Sequence, residues 1–325
     1  MKTSSAPAYH GIIPPIITPL KDRDTLDVAG LENLIEHLVG GGVHGIFALG
    51  TTGEAPSLSY RLRREMVERT CKQVAGRVPV LVGITDTSFV ESVNLAQHSA
   101  EQGATAVVLS APYYFPVGQP ELTEYVEDLV PELPLPVFLY NMPSHTKVTF
   151  ELSTVRRAMD LPGVVGMKDS SGNMVYFHQL VRELEHRPDW SLLVGPEELL
   201  GESVLLGGHG GVCGGANLCP KLYVALYEAA RKRDVPRVLE LHAQVMRISS
   251  SIYKVGRHGS AFIKSVKCAL SVLGVCDDFL AEPFHRFRDE ERLRVGTYLE
   301  EFEITRERAC LRRWRCRGGK VGMRN

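Results

Sequence analysis

Eight short runs of apolar residues recur along this chain at intervals of roughly 25–30 residues, and each is followed by a stretch with helical spacing. The runs cover residues 11–19, 44–50, 78–85, 106–113, 136–143, 164–170, 190–195 and 210–217. They are apolar throughout rather than alternating, which is the pattern of a strand covered on both faces. The segments between them (26–39, 60–74, 88–102, 121–130, 151–159, 174–185, 197–206 and 220–231) place apolar residues on one helical face, and Ser88 has the character of an N-cap. Eight strand–helix units predict a closed parallel (β/α)8 barrel, the TIM barrel of the α/β class. A doubly wound open sheet is the alternative, but no G-x-G-x-x-G follows a first strand.

The predicted organisation is an N-terminal segment over residues 1–10, the barrel over 11–232 and a helical region over 233–303. That last region has helical periodicity and no strand signal, and predicts two or three helices packed beside the barrel. A basic tail follows over 304–325, where residues 305–325 carry eight Arg or Lys and three Gly. It reads as a solvated flexible tail, with nucleic-acid binding as the lesser alternative.

Composition narrows the function classes. A chain of 325 residues that is 44% hydrophobic can bury a large core, and alternating strands and helices run to this length as one domain. A net charge of −1 gives no overall attraction to nucleic acid or to an anionic membrane. No run of 18 apolar residues occurs, and the opening Met-Lys-Thr-Ser-Ser-Ala-Pro has no apolar signal core. Seven cysteines without regular spacing fit a reducing compartment better than a disulfide framework. The expectation is a soluble cytoplasmic protein with neither a nucleic-acid nor a membrane partner.

Chemistry is concentrated where the sixth run ends, in Val164-Val-Gly-Met-Lys168-Asp-Ser-Ser-Gly172. Lys168 closes a buried strand and is followed at once by turn-forming residues. Desolvation there disfavours the ammonium and raises the fraction of neutral amine, as a Schiff-base nucleophile requires. The structural alternative is a strand-end lysine that snorkels to solvent or pairs with Asp169. The other strand ends decide between the two. In such barrels active sites lie at the carboxyl ends of the strands. Strand 2 ends in Gly50-Thr51-Thr52-Gly53-Glu54, strand 4 in Pro112-Tyr113-Tyr114 and strand 5 in Tyr140-Asn141-Met142-Pro143. The Thr51 and Thr52 amides precede a helix and can hold a carboxylate. An amine to attack a 2-oxo acid, hydroxyls to relay protons and a nest for the acid group form one chemical set.

The motifs GTTGE after strand 2, YNMP ending strand 5 and GMKDSSG at strand 6 resemble those of the dihydrodipicolinate synthase / N-acetylneuraminate lyase family. Order and spacing match from residue 10 to about residue 300. The resemblance implies a barrel with a C-terminal helical extension that binds pyruvate, or another 2-oxo acid, as an imine on Lys168. It implies that Tyr140 is the catalytic tyrosine, that Thr51 belongs to the proton relay, and that Thr52 holds the pyruvate carboxylate. Tyr114 matches a relay tyrosine that crosses a dimer interface into the neighbour's site, so a homodimer or homotetramer is implied. Val212 occupies the position whose backbone lines the pyruvate pocket. No metal or organic cofactor is implied, because the protonated imine is itself the electron sink.

The second substrate is where the chain departs from the family pattern. Synthases of this family have an arginine two residues after the strand-5 proline, which binds the carboxylate of aspartate semialdehyde; this chain has His145. Imidazole lacks the bidentate fork. Lys147 stands where a glycine is usual, either compensating for the arginine or facing solvent. The strand-7 loop reads Gly195-Pro196-Glu197-Glu198, and the two glutamates could bind sugar hydroxyls as the acidic pair of N-acetylneuraminate lyases does. Against that, those lyases carry Ser-Thr where this chain has Thr51-Thr52. The leading expectation is 4-hydroxy-tetrahydrodipicolinate synthase activity, joining pyruvate and L-aspartate semialdehyde in lysine biosynthesis. The alternative is N-acetylneuraminate lyase or another sugar-acid or 4-hydroxy-2-oxoglutarate aldolase, and the non-enzymatic alternative is a 2-oxo acid sensor.

Other signals read blandly. Eleven histidines show no H-x-H or H-x-x-x-H spacing, and His44 and His209 fall at strand starts, the stability face of a barrel. Cys213, Cys219, Cys310 and Cys316 have no zinc-like pairing. Asp169 and Glu54 are expected to order their loops. Tyr60, Arg63 and Thr87 depart from the types usual at the lysine feedback site of some synthases, and Glu91 alone keeps its type, so L-lysine is not expected to inhibit.

Overall fold

The structure, a computed structural model, describes residues 8–305. The eight apolar runs form eight parallel strands: β1 (Gly11–Ile12), β2 (Ile46–Ala48), β3 (Val80–Gly83), β4 (Ala106–Ser110), β5 (Val137–Asn141), β6 (Val164–Asp169), β7 (Ser191–Val194) and β8 (Gly210–Gly211). They are hydrogen-bonded in the order β1-β8-β7-β6-β5-β4-β3-β2. The ring closes just past β1, where Phe47 N donates to Pro14 O at 2.9 Å and Ile16 N to Phe47 O at 2.9 Å. The expected (β/α)8 barrel is what forms.

The regular strands are shorter than the apolar runs, most of all at the closing seam. Pro14 and Pro15 have no N–H to give, so β1 stops after two residues. β8 stops at Gly211, and its continuation bends into a 3-10 turn over Gly214–Asn217. Fully buried Asn217 ties this seam: its Nδ2 donates to Pro15 O at 2.9 Å and Gly214 O at 2.7 Å, and its Oδ1 accepts from Ile17 N at 3.2 Å. A small antiparallel hairpin, Leu20–Asp22 with Thr25–Leu26, and a helical turn, Pro143–Thr146, have no counterpart in the sequence expectation.

Ile13, Phe47, Leu81, Val108, Phe138 and Leu193 fill the inside of the ring, while a larger apolar layer lies between strands and helices. The two layers explain the unbroken hydrophobic runs. Gly166 is required by the interior: a Cβ there would lie 2.4 Å from Phe138 Cε1 and 2.5 Å from Ser191 O.

The barrel helices are α1 (Val28–Gly40), α2 (Tyr60–Val74), α3 (Phe89–Glu101), α4 (Gln119–Leu129), α5 (Leu152–Met159), α6 (Met174–Glu183), α7 (Leu200–Leu205) and α8 (Pro220–Arg231). In α1, Leu31, Leu34, Ile35 and Leu38 make the buried stripe, and Asp27 caps the helix by accepting from Gly30 N. Ser88 caps α3 as the sequence predicts, accepting from Glu91 N. The region after the barrel holds α9 (Val235–Ser251), α10 (Ala261–Val272) and α11 (Asp289–Glu301). The basic tail from residue 306 on, with Cys310 and Cys316, lies outside the described residues. Among the described residues no helix is long and apolar enough to cross a membrane, and Cys71, Cys213, Cys219, Cys268 and Cys276 are free thiols.

His44 and His209 sit at the amino ends of the strands and serve as backbone acceptors. His44 Nδ1 accepts from Ile12 N at 3.1 Å and His209 Nδ1 from Leu192 N at 2.9 Å. Both bonds require neutral rings. Burial, and then the nearby His10 charge, lowers both pKa values below the ordinary imidazole range. A folded pKa below the unfolded one gives stability that is complete above the unfolded value, about 6.5, and is lost as pH falls through the folded one. His44→Asn and His209→Asn are therefore expected to flatten the loss of thermal stability between pH 7.5 and 5.5, read as variant minus wild type by calorimetry. An unchanged slope would remove these rings from the acid response. The difference is needed because Glu197, raised by burial to about 7, contributes with the opposite sign in the same window.

Candidate active site

The carboxyl end of the barrel holds a cavity of about 300 Å³ lined by Thr51, Thr52, Tyr140, Lys168, Glu198 and Val212 among others. Lys168 enters it from β6 and is only 5% exposed. β5 and β6 run side by side with Tyr140 opposite Lys168, so both side chains point into the ring. Lys168 Nζ lies 4.0 Å from the centroid of the Tyr140 ring and 5.2 Å from that of Phe47. No carboxylate among the described residues pairs with this amine: Asp169, the partner in the structural alternative, is bonded elsewhere. Its carboxylate accepts from Asn141 Nδ2 at 2.8 Å, Ser171 N at 3.1 Å and Ser171 Oγ at 2.9 Å. These bonds, with Ser170 N donating to Asn141 O at 2.8 Å, lock the ends of β5 and β6 together and fix the register of Tyr140 and Lys168. Asp169 thus orders its loop, as the sequence predicts.

The Tyr140 hydroxyl and Thr51 Oγ1 are 3.3 Å apart, and either can donate. Thr51 and Thr52 follow β2 in a tight loop in which Gly53 N donates to Gly50 O at 3.0 Å and Glu54 N to Thr51 O at 3.1 Å. The amides of Thr51 and Thr52 themselves have no hydrogen-bond partner among the described residues. Two free N–H groups beside a buried amine form a place for an anion. Val212 is 4% exposed, and its N–H donates to Val194 O at 2.8 Å, holding the wall opposite.

A second chamber of about 250 Å³ adjoins the first, sharing Thr51, Tyr140, Met142 and His145 with it and adding Thr85, Ser110 and Tyr113. Tyr113, not Tyr114, lines this chamber. Tyr114 is 84% exposed, with φ at +85° and its ring edge-on to Phe115 at 4.9 Å. An aromatic residue at positive φ is strained, and within one chain this side chain does not reach the Lys168 cavity.

The two glutamates have different surroundings. Glu197 is buried and already bonded within the protein: it accepts from Tyr223 OH, from Tyr253 OH at 2.8 Å and from Gly215 N at 2.6 Å. Glu197 lines the cavity beside Glu198, and its oxygens are engaged in holding the turn after β8. Glu198 is half-buried on the cavity wall and accepts from Ser249 Oγ. His145 stands at the mouth, 3.0 Å from Ser144 Oγ through Nδ1. Partial desolvation, then the charges of Lys147 and Lys168, lower its pKa below the ordinary imidazole range and favour the neutral ring. Lys147, in the left-handed region with φ at 62°, donates to Ser144 O at 2.7 Å and does not line the cavity.

The cleft among Tyr60, Arg63, Asp86 and Glu91 is closed. Arg63 and Asp86 form a buried ion pair at 2.8 Å, leaving about 10 Å³, the room of about one water. A titration with L-lysine up to 1 mM is expected to leave activity unchanged, and inhibition at sub-millimolar concentration would refute this.

Barrel, helical extension and lysine-bearing cavity put the chain in the class of (β/α)8 proteins built around a strand-end active site. The Dihydrodipicolinate synthetase family profile matches residues 8–302, and the chain belongs to this family of lyases and aldolases. A solved dihydrodipicolinate synthase from Bacteroides thetaiotaomicron is 57% identical, with a TM-score of 0.89 over 91% of this chain and 100% of that one. YagE of E. coli K12, a prophage protein of the dihydrodipicolinic acid synthase family solved with pyruvate, is 28% identical, with a TM-score of 0.86 over 91% and 99% of the two chains. A protein of Escherichia coli K12 named "Probable 2-dehydro-3-deoxy-D-pentonate aldolase YjhH" is 32% identical over 90% of this chain and 96% of its own length.

Proposed function

We propose that the protein is a class I pyruvate aldolase that works through an imine on Lys168 and takes a neutral, hydroxyl-bearing aldehyde as its second substrate. The observation that carries the first part is the buried Lys168 amine beside Tyr140, whose hydroxyl is 3.3 Å from Thr51 Oγ1. The Lys168 amine adds to C2 of pyruvate to form a carbinolamine. Tyr140 protonates the departing hydroxyl, and water leaves to give the protonated imine. Loss of a C3 proton gives the enamine, whose C3 bonds to the aldehyde carbon while the new alkoxide takes up a proton. Water then hydrolyses the imine and frees Lys168, and the reverse order cleaves an aldol. Thr51 passes protons to and from Tyr140. The Thr51 and Thr52 amides take the pyruvate carboxylate, and Val212 closes the pocket. The imine is the electron sink, so no further cofactor enters. In a homodimer or homotetramer, exposed Tyr114 would extend the relay into the neighbouring subunit's site.

The lining of the two chambers supports the second part. Apart from Lys168, no lysine or arginine of the described residues lines either one; the polar side chains include Glu197, Glu198, His145, Ser170, Thr85 and Ser110. Such groups match hydroxyls and leave a second carboxylate without a cation. The name of the relative YjhH, "Probable 2-dehydro-3-deoxy-D-pentonate aldolase", supports this reading. The second reading, condensation with L-aspartate semialdehyde, is supported by the 57% identical synthase from Bacteroides thetaiotaomicron. A panel of aldehydes with pyruvate separates the two. Small sugar aldehydes are expected to turn over faster than aspartate semialdehyde. His145→Arg is expected to raise kcat/KM for aspartate semialdehyde about tenfold by supplying a charged hydrogen-bond fork. Preference for aspartate semialdehyde in the wild type would reverse the assignment.

A further inference from the structure

The loop carrying the Thr51 and Thr52 amides is held in place by the C-terminal helical region. Glu54 ends this loop in the left-handed conformation, with φ at 57°. Its Oε1 forms an ion pair with Lys267 Nζ at 2.5 Å, and both side chains are 0% exposed. Its Oε2 accepts from Ala281 N at 2.8 Å, and Lys267 Nζ also donates to Phe279 O at 2.7 Å. Lys267 lies on α10, whose first turn supplies Phe262 and Ile263 to the wall of the Lys168 cavity. One helix thus lines the cavity and, a turn later, grips the adjoining loop. Thr18 Oγ1 holds the same loop by donating to Gly53 O at 2.7 Å.

Two charges withdrawn from water lose much of their mutual attraction to desolvation, and a packed apolar pair is often as stable. Stability alone is therefore a weak reason for this pair. Geometry gives a stronger one. Two adjacent N–H groups converge on one carboxylate only if the φ and ψ angles between them are fixed, and Glu54 fixes the residue that ends the turn.

We propose that Glu54 and Lys267 are positioning residues that keep the Thr51 and Thr52 amides convergent on the acid group of the 2-oxo acid. The C-terminal helical region then sets the affinity of the barrel site. This rests on the function proposed above. The test compares wild type with Glu54→Gln/Lys267→Met, a variant that keeps side-chain volume and the acceptor for Ala281 N. Pyruvate and methyl pyruvate, its neutral ester, are trapped with borohydride, and the half-saturating concentration, maximal trapping and urea midpoint are measured.

The double variant is expected to fold with a midpoint near wild type. Its half-saturating pyruvate concentration should rise about tenfold, its maximal trapping should change little, and its preference for pyruvate over methyl pyruvate should fall. A merely structural pair would not move that preference. Wild-type half-saturation and preference in the folded double variant would overturn the proposal while leaving the Schiff-base reading intact. No adduct in the wild type would remove that reading and this proposal together. If the double variant does not fold, Glu54→Gln alone, which also keeps the Ala281 contact, gives the same readout.

Discussion

Lys168→Ala is expected to lose aldol turnover by at least about four orders of magnitude, as removal of a covalent nucleophile does. The melting temperature should stay within about 3 °C of wild type, because a change of about 1 kcal/mol moves a domain of this size by only a few degrees. The Lys168 side chain makes no hydrogen bond or ion pair among the described residues; its amine lies over the faces of Tyr140 and Phe47. Its removal therefore orphans no buried partner. Lys168→Arg keeps a long nitrogen-bearing side chain but supplies no amine nucleophile and should be equally inactive. Turnover retained in either variant would move the nucleophile elsewhere, and a collapse in stability would make Lys168 a structural residue.

The second large effect concerns stability. Glu54→Ala removes one member of the fully buried Glu54–Lys267 pair and leaves an ammonium with only the Phe279 carbonyl. Breaking such a pair from one side costs about 3–5 kcal/mol. Burial already lowers the Lys267 pKa despite the adjoining carboxylate, which shows how far this site disfavours an uncompensated charge. The urea midpoint of Glu54→Ala should drop accordingly, and that of the volume-matched double variant should recover most of the loss. A single variant within about 1 kcal/mol of wild type would mean that water or a rearranged partner reaches Lys267.

Much of this was legible in the chain because it rests on local pattern. Strand count, strand order and the placement of Lys168, Tyr140 and Thr51 at carboxyl ends follow from apolar runs that stop at turn residues. What was not legible depends on pairing between distant segments. Lys267 sits in Ala261–Val272 among small and apolar residues, and nothing local distinguishes a lysine that snorkels from one that meets Glu54 across the fold. Asn217 looks like a loop residue until the strand 1 backbone is placed beside it. Glu197 and Glu198 are adjacent in sequence, yet Tyr223 and Tyr253 from two later helical segments bond one and not the other. The short first strand, by contrast, could have been read from Pro14 and Pro15, which cannot donate to a ladder.

Borohydride trapping with pyruvate, followed by peptide mass mapping, bears most directly on the central claim. A carboxyethyl adduct on Lys168 alone, absent from Lys168→Ala, is the predicted result. An unmodified wild-type protein, or an adduct mapped to any other lysine, would contradict it.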